Sequence, residues 1–148
     1  MSDFVVRPVT AAEVRPLRSA VLRPGRPAED SVYPGDDEPE ALHAGAFEGD
    51  EIIGVASVFR EPPPGEADAR AWRLRGMALA PEARRKGHGR ALLEFCLAHV
   101  AERGGAVLWC NARSDAEGFY RSLGFDRIGE EFETPDRIPH FFMRRQIP

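Results

Sequence analysis

The chain has 148 residues, of which 43% are hydrophobic and 30% charged, and its formal net charge at pH 7 is -4. This length suits a single domain spanning 1–148, and the net negative charge argues against a general affinity for nucleic acid. The sequence has no apolar run long enough to cross a membrane and no signal-peptide pattern at its N-terminus. We therefore expect a cytoplasmic protein that has neither nucleic acid nor a membrane as a partner.

Hydrophobic periodicity and turn residues predict one domain of mixed strands and helices. In chain order, the predicted elements are a strand at 3–9, a helix at 10–22, strands at 42–48, 52–60 and 71–79, a helix that ends before Gly104, a strand at 106–112, a helix at 114–123, and strands at about 125–134 and 138–146. Residues 23–40 are rich in proline and glycine, so we predict a loop there. The pairs Thr10–Glu13 and Ser114–Glu117 predict capping boxes.

Cysteine and histidine spacing does not indicate a metal site. Cys96 falls in a predicted helix and Cys110 in a predicted strand, so we interpret both as buried apolar residues rather than as a disulfide. The histidines form no HxH or HxxxH pattern, and the chain has no CxxC. We predict that the protein binds no metal.

A basic turn with two glycines joins the 71–79 strand to the next helix. Its residues are Arg84, Arg85, Lys86, Gly87, His88, Gly89 and Arg90. The first turn of a helix has unpaired N–H groups and the positive end of the helix dipole. Glycines let a phosphate approach the main chain, and nearby cations attract it. The turn predicts a phosphorylated cofactor, although a solvated basic helix start is the alternative.

The glycine spacing narrows the choice of cofactor. The third glycine of the dinucleotide motif G-x-G-x-x-G is missing, and the P-loop pattern G-x-x-x-x-G-K-[ST] is absent. What remains is R-x-x-G-x-G, read as Arg84, Gly87 and Gly89. Further along the chain, a short predicted helix has the run Phe119-Tyr120-x-x-Leu123-Gly124-Phe125.

Both motifs, in this order, resemble those of the GNAT acetyltransferase superfamily. The run Gly129-Glu-Glu-Phe and the run Pro139-His-x-x-Met143 are also similar to its ElaA-like branch. The resemblance implies an α/β fold with a mixed, mostly antiparallel twisted sheet, splayed middle strands and helices on both faces. It also implies an N-acetyltransferase that uses acetyl-CoA as its cofactor.

The resemblance places acetyl-CoA between the strands at 71–79 and 106–112. Its pantetheine arm would pair with the main chain from Met77 through Ala78 to Leu79, where an N–H could act as the oxyanion donor. Its pyrophosphate would lie on the basic turn. The family's asparagine is replaced by Arg113, which could bind the distal phosphate. Asn111 could hydrogen-bond the pantetheine or could simply end the strand.

Tyr120 is the candidate general acid that the motif implies. A phenol with a pKa of about 10 suits protonation of the departing CoA thiolate. The alternative is a core aromatic residue on an amphipathic helix. A base could be His140, Glu131 or Glu133, and no nucleophilic triad is evident, so we predict direct transfer in a ternary complex. His140 and His43 could equally be half-buried structural residues.

The acceptor is less well defined by the sequence. The resemblance implies a primary amine of a small molecule or a protein, and the last two strands would border the acceptor site. The acidic residues of the 23–40 loop could attract a cationic acceptor or could be merely solvated; they include Asp30, Asp36, Asp37, Glu38 and Glu40. Arg23 could bind an acceptor carboxylate or cap the first helix. An acyl-CoA sensor and a transferase of longer acyl groups remain alternatives, and exposed terminal strands make a homodimer plausible.

Overall fold

The computed structural model describes residues 4–148, and within this range the chain forms seven strands and three helices. In chain order these are β1 (Phe4–Val9), α1 (Ala11–Leu22), β2 (Leu42–Glu48), β3 (Glu51–Arg60), β4 (Ala71–Leu79), α2 (His88–Glu102), β5 (Val107–Arg113), α3 (Glu117–Ser122), β6 (Asp126–Glu133) and β7 (Pro139–Gln146). The predicted fold class and element order are confirmed, and the first residue of the predicted 3–9 strand lies outside the described range.

The strands form one sheet in the order β1-β2-β3-β4-β5-β7-β6. Neighbouring strands are antiparallel except for β4 and β5, which run parallel. On one side, Val14 of α1 packs with Val55 and Ala78. On the other side, buried residues of α2 and α3 pack with the larger core cluster. We call these two sides the α1 face and the α2 face.

The two predicted capping boxes have different outcomes. At Thr10 the box is present, because the Glu13 N–H donates to Thr10 Oγ1 at 3.1 Å and the Thr10 N–H donates to Glu13 Oε1 at 2.9 Å. The box predicted at Ser114 is wrong. The Ser114 hydroxyl instead donates to Glu131 Oε2 at 2.7 Å, and residues Ser114–Ala116 form a 3-10 turn before α3 begins at Glu117.

The loop predicted over 23–40 contains one short 3-10 turn at Ala28–Ser31. Within residues 4–148, no helix has both the length and the apolar character needed to cross a membrane. No group of three or more histidine, cysteine or acidic residues in that range is arranged to hold a metal ion.

Candidate active site

The sheet opens between β4 and β5. The two strands pair from Ala71 opposite Val107 to Arg73 opposite Trp109, and they do not pair beyond that point. The rest of β4 stays paired with β3, and β5 stays paired with β7 as far as Arg113. Main-chain groups along one edge of each strand therefore face an opening, which we call the β4–β5 gap. The splayed middle strands that the family resemblance implied are present.

A bulge in β4 lies beside this gap. Val55 pairs with Ala78 and Ser57 pairs with Arg75, so the single residue between them on β3 faces both Gly76 and Met77. Gly76 has φ +66°, a backbone conformation that residues other than glycine rarely adopt. The bulge breaks the regular ladder just before Met77–Leu79, the segment predicted to pair with pantetheine.

The basic turn follows the end of β4 and leads directly into α2. Arg85 and Gly87 have positive φ values of 62° and 80°, and Gly87 is the N-cap of α2 without any side-chain cap. The first N–H groups of this helix therefore remain available to an anion. Exposed Arg85 and Lys86 add positive charge at the same place. The structure thus brings the predicted phosphate-binding residues to one helix terminus beside the gap.

Some members of the turn have packing roles. The His88 ring stacks on Phe4 with 4.2 Å between centroids, so its side chain is held away from the turn. A Cβ at Gly89 would lie 3.2 Å from Leu79 and from Phe119, so this glycine allows α2 to pack closely against β4 and α3. Arg90 forms an ion pair within α2, with 3.3 Å between its Nη1 and Glu94 Oε1.

Tyr120 lies on the α2 face. Its residue is 8% exposed, and its ring contacts Phe125 edge-on at 5.5 Å. Burial raises the pKa of Tyr120 well above its ordinary value, and the nearby Cys110 and Cys96 raise it further. The phenol is therefore protonated at neutral pH. It can donate a hydrogen bond and cannot act as a base there.

The two cysteines are buried thiols. Burial raises the pKa of Cys96 and of Cys110 to about 12 in each case. Because the thiolate is the reactive form of cysteine, such groups are poor nucleophiles at neutral pH. An acyl-enzyme at Cys110, which is on β5 beside the gap, is disfavoured on this ground.

His140 and Glu131 lie near the end of β5, on the side of that strand away from the gap. His140 pairs with Arg113 on β5 and with Phe132 on β6. Its Nδ1 donates to the Ile138 carbonyl at 2.8 Å, because a carbonyl oxygen can only accept. In the neutral imidazole this leaves the Nε2 lone pair free. Glu131 is exposed, and its carboxylate accepts the hydrogen bond from Ser114.

Asn111 and Arg113 are on the α1 face. Arg113 donates from Nη2 to the carbonyl of Leu22, the last residue of α1, at 2.7 Å. This bond gives its guanidinium a helix-capping role that the sequence did not predict. Asn111 is two residues earlier on the same face and is exposed. Its side chain is therefore open to a ligand entering from the α1 side.

A buried polar network was missed by the sequence analysis. Arg18, on α1, is fully buried and donates to both carboxylate oxygens of Asp36, at 2.9 and 3.2 Å. It also donates to Ser57 Oγ at 2.9 Å and to the Ser31 carbonyl at 2.7 Å. Burial opposes ionisation of Asp36, but hydrogen bonds from Arg18 and from the Tyr33 N–H outweigh it, so the pKa of Asp36 lies below its usual value. The network ties the 23–40 loop to α1 and β3.

His43 belongs to this network, so its contacts support a structural role rather than a role as the base. Its Nε2 donates to the Asp36 carbonyl at 2.8 Å, and its Nδ1 accepts from Ser57 Oγ at 2.7 Å. Both ring nitrogens are occupied by protein groups. The predicted role of the acidic run also changes, since Asp36 is buried against Arg18 and Glu40 pairs with Arg60 at 2.9 Å.

Arg23 connects the 23–40 loop to the turn between β6 and β7. Its Nη1 is 3.7 Å from Asp136 Oδ2, so the start of the 23–40 loop lies against the β6–β7 turn. The loop, this turn and the gap together border one region on the α1 face, opposite Tyr120. A second substrate could therefore approach the gap from the α1 side.

Comparison with known proteins agrees with this geometry. Residues 27–147 match the family model described as an acetyltransferase (GNAT) domain. The chain is 31% identical over 142 residues to the uncharacterized N-acetyltransferase YitI of Bacillus subtilis (strain 168), which covers 96% of this chain and 95% of that protein.

Solved structures have the same fold. Escherichia coli ElaA superposes with a TM-score of 0.76 at 17% identity, over 98% of this chain and 99% of that one. An aminoglycoside 6'-N-acetyltransferase complexed with coenzyme A superposes with a TM-score of 0.73 at 16% identity, over 97% of each chain. At these identities the structures establish the fold, while the family model and YitI establish the family. The chain belongs to the GNAT acetyltransferase family and is an acyl-transferring enzyme.

Proposed function

We propose that the protein is an acetyl-CoA-dependent N-acetyltransferase that acetylates a primary amine of a small molecule or a protein by direct attack in a ternary complex. The observation that carries this proposal is the β4–β5 gap, with an uncapped helix terminus beside it, a protonated phenol on one face and the exposed Asn111 on the other. A purely CoA-binding module would not need the last two features.

The residues beside the gap fit the cofactor. The N–H groups at the start of α2, from Gly87 to Gly89, would hold the pyrophosphate, with Arg85 and Lys86 adding charge. The free edge of β4 around Met77–Leu79 would hold the pantetheine arm as an added strand. When bound, acetyl-CoA supplies the acetyl group as a thioester, and CoA leaves as a thiolate that takes a proton from solvent.

Three groups of the chain would act on the reacting atoms. A main-chain N–H near Leu79 would stabilise negative charge on the thioester oxygen while the amine nitrogen bonds to the carbonyl carbon. Tyr120 would donate a hydrogen bond to the sulfur as the carbon–sulfur bond breaks. Because an ordinary thiol has a pKa of about 8.5, a phenol with a raised pKa stabilises the thiolate without transferring its proton completely. The attacking amine would lose its proton to His140 Nε2, directly or through water.

Charge reversal in the basic turn should weaken cofactor binding. For the double variant Arg85→Glu, Lys86→Glu we expect the Kd for acetyl-CoA to rise by about tenfold or more, because each exposed charge lies near the phosphates in this proposal. Isothermal calorimetry at low salt is the measurement. Arg70→Glu, a charge reversal on the distant β3–β4 loop, is the matched control and should bind normally. A substitution at Gly89 would also disturb helix packing, so it would not report on phosphate binding alone.

The activity itself is tested by thiol release. Wild-type protein with acetyl-CoA and a panel of primary amines should release CoA and form the amide with at least one amine, as detected by a thiol reagent and mass spectrometry. Tight acetyl-CoA binding without release from any small amine or peptide in the panel would contradict the transferase and favour an acyl-CoA sensor.

A further inference from the structure

Arg75 differs from its neighbours Arg18 and Arg73 because, within residues 4–148, it has no carboxylate partner. On the same face, Arg18 pairs with Asp36 at 2.9 Å and Arg73 pairs with Glu61 at 2.9 Å. Among the residues that the structure describes, no carboxylate lies within salt-bridge distance of Arg75, and its guanidinium lies over the Tyr33 ring at 4.2 Å. The three arginines Arg18, Arg73 and Arg75 are thus matched by only two carboxylates, those of Asp36 and Glu61, and this cluster has a net charge of +1.

The environment of Arg75 makes this charge costly. Burial lowers the pKa of Arg75, and the neighbouring positive charge of Arg73 lowers it further. The Arg75 side chain is only partly buried. In this region, Nε of Arg73 and Nε of Arg18 are buried and have no hydrogen-bond partner among the described residues, whereas no nitrogen of the Arg75 side chain is in that situation. The Arg75 donors are thus open to solvent. A bound anion would relieve the unfavourable burial of the guanidinium.

Arg75 also occupies a defined position relative to the gap. It is two residues beyond Arg73, the last β4 residue that pairs with β5, and it directly precedes the bulge at Gly76. Continuing the parallel register places exposed Asn111 across the gap from it. One guanidinium fork and one side-chain amide match the two oxygens of a planar carboxylate.

We propose that Arg75 binds a carboxylate of the acceptor, so that the enzyme acetylates small amines that also carry a free carboxylate, as amino acids do. This inference rests on the proposed N-acetyltransferase function. Arg75 is a specificity-determining residue in this scheme, because it contacts the acceptor away from the reacting amine.

The test compares matched acceptors at saturating acetyl-CoA. One series contains free amino acids, a second contains the corresponding carboxamides, and a third contains amines that carry a phosphate in place of the carboxylate. For the wild type we expect kcat/KM to be about ten- to a hundredfold higher for the best carboxylate than for its carboxamide, as for one charged hydrogen-bonding pair. Arg75→Gln should remove this preference, chiefly through KM, and should change carboxamide turnover by less than about threefold.

Further readouts separate recognition from a structural role. Arg75→Lys keeps the charge without the fork and should retain part of the preference. If Arg75 only packs on Tyr33, Arg75→Gln would lower both series equally, and that result would overturn the inference. A wild-type preference for phosphate, or equal rates with carboxylate and carboxamide, would also overturn it while leaving the transferase intact. Absence of release from all three series would overturn this inference. The transferase itself would be overturned only if the wider panel of amines and peptides also gave no release.

Discussion

Replacing Tyr120 with phenylalanine is expected to lower kcat by about 10²- to 10⁴-fold while leaving the Kd for acetyl-CoA nearly unchanged. The variant removes one hydroxyl from a buried ring and keeps the ring contacts with Phe119 and Phe125. The departing sulfur would then lose its hydrogen-bond donor on the α2 face. The initial rate of thiol release at saturating amine and acetyl-CoA gives kcat, and calorimetry gives the Kd for acetyl-CoA.

A hydroxyl deletion on the same helix provides the control. Ser122 is exposed, and its hydroxyl donates to the Phe119 carbonyl at 2.6 Å, so Ser122→Ala tests the sensitivity of α3 without touching the gap. We expect its kcat to stay within about twofold of the wild type. If Tyr120→Phe retained full kcat, Tyr120 would be a core aromatic residue and the thiolate would need another donor.

The elements beside the gap could be predicted because their signals are local. The glycines and cations of the basic turn are contiguous in sequence, and the helix that follows has its apolar residues at helical spacing. Tyr120 comes from a short run whose glycine ends the helix. Such features depend on residues that are close together along the chain, so the sequence was sufficient to predict the turn and the two helices.

The acceptor side could not be predicted in the same way. The network around Arg18 joins residues from α1, the 23–40 loop and β3, which are brought together only by the tertiary fold. A charged residue within α1 and an aspartate within a proline-rich loop both look solvated in sequence. The failure at Ser114 has a similar cause, since the partner that removes its hydroxyl from the cap is Glu131 on β6.

Asp36→Asn is expected to destabilise the protein by about 3–5 kcal/mol. The substitution leaves the fully buried Arg18 guanidinium without its counter-charge, and Arg18 Nε already lacks a partner among the described residues. For a domain of this size, the loss corresponds to a fall in Tm of about 10 °C. Urea unfolding at pH 7 measures the change in free energy. Asp37→Asn is the matched control, because Asp37 is adjacent and exposed, and its Tm should change little.

The pH dependence of this difference identifies its electrostatic origin. The folded pKa of Asp36 lies below its usual value, so its ionised form stabilises the fold above the unfolded pKa of about 3.9. That contribution is lost as the pH falls from there through the folded pKa. The stability gap between wild type and Asp36→Asn should therefore be constant from pH 7 to about 5 and should narrow below about pH 4. A gap that persisted unchanged at low pH would mean that Asp36 acts through shape and hydrogen-bond geometry rather than through its charge. The double variant Arg18→Met, Asp36→Leu distinguishes the two explanations. If charge is the cause, removing both partners should restore most of the stability that Asp36→Asn loses. If shape and hydrogen-bond geometry are the cause, the double variant should be as unstable as Asp36→Asn.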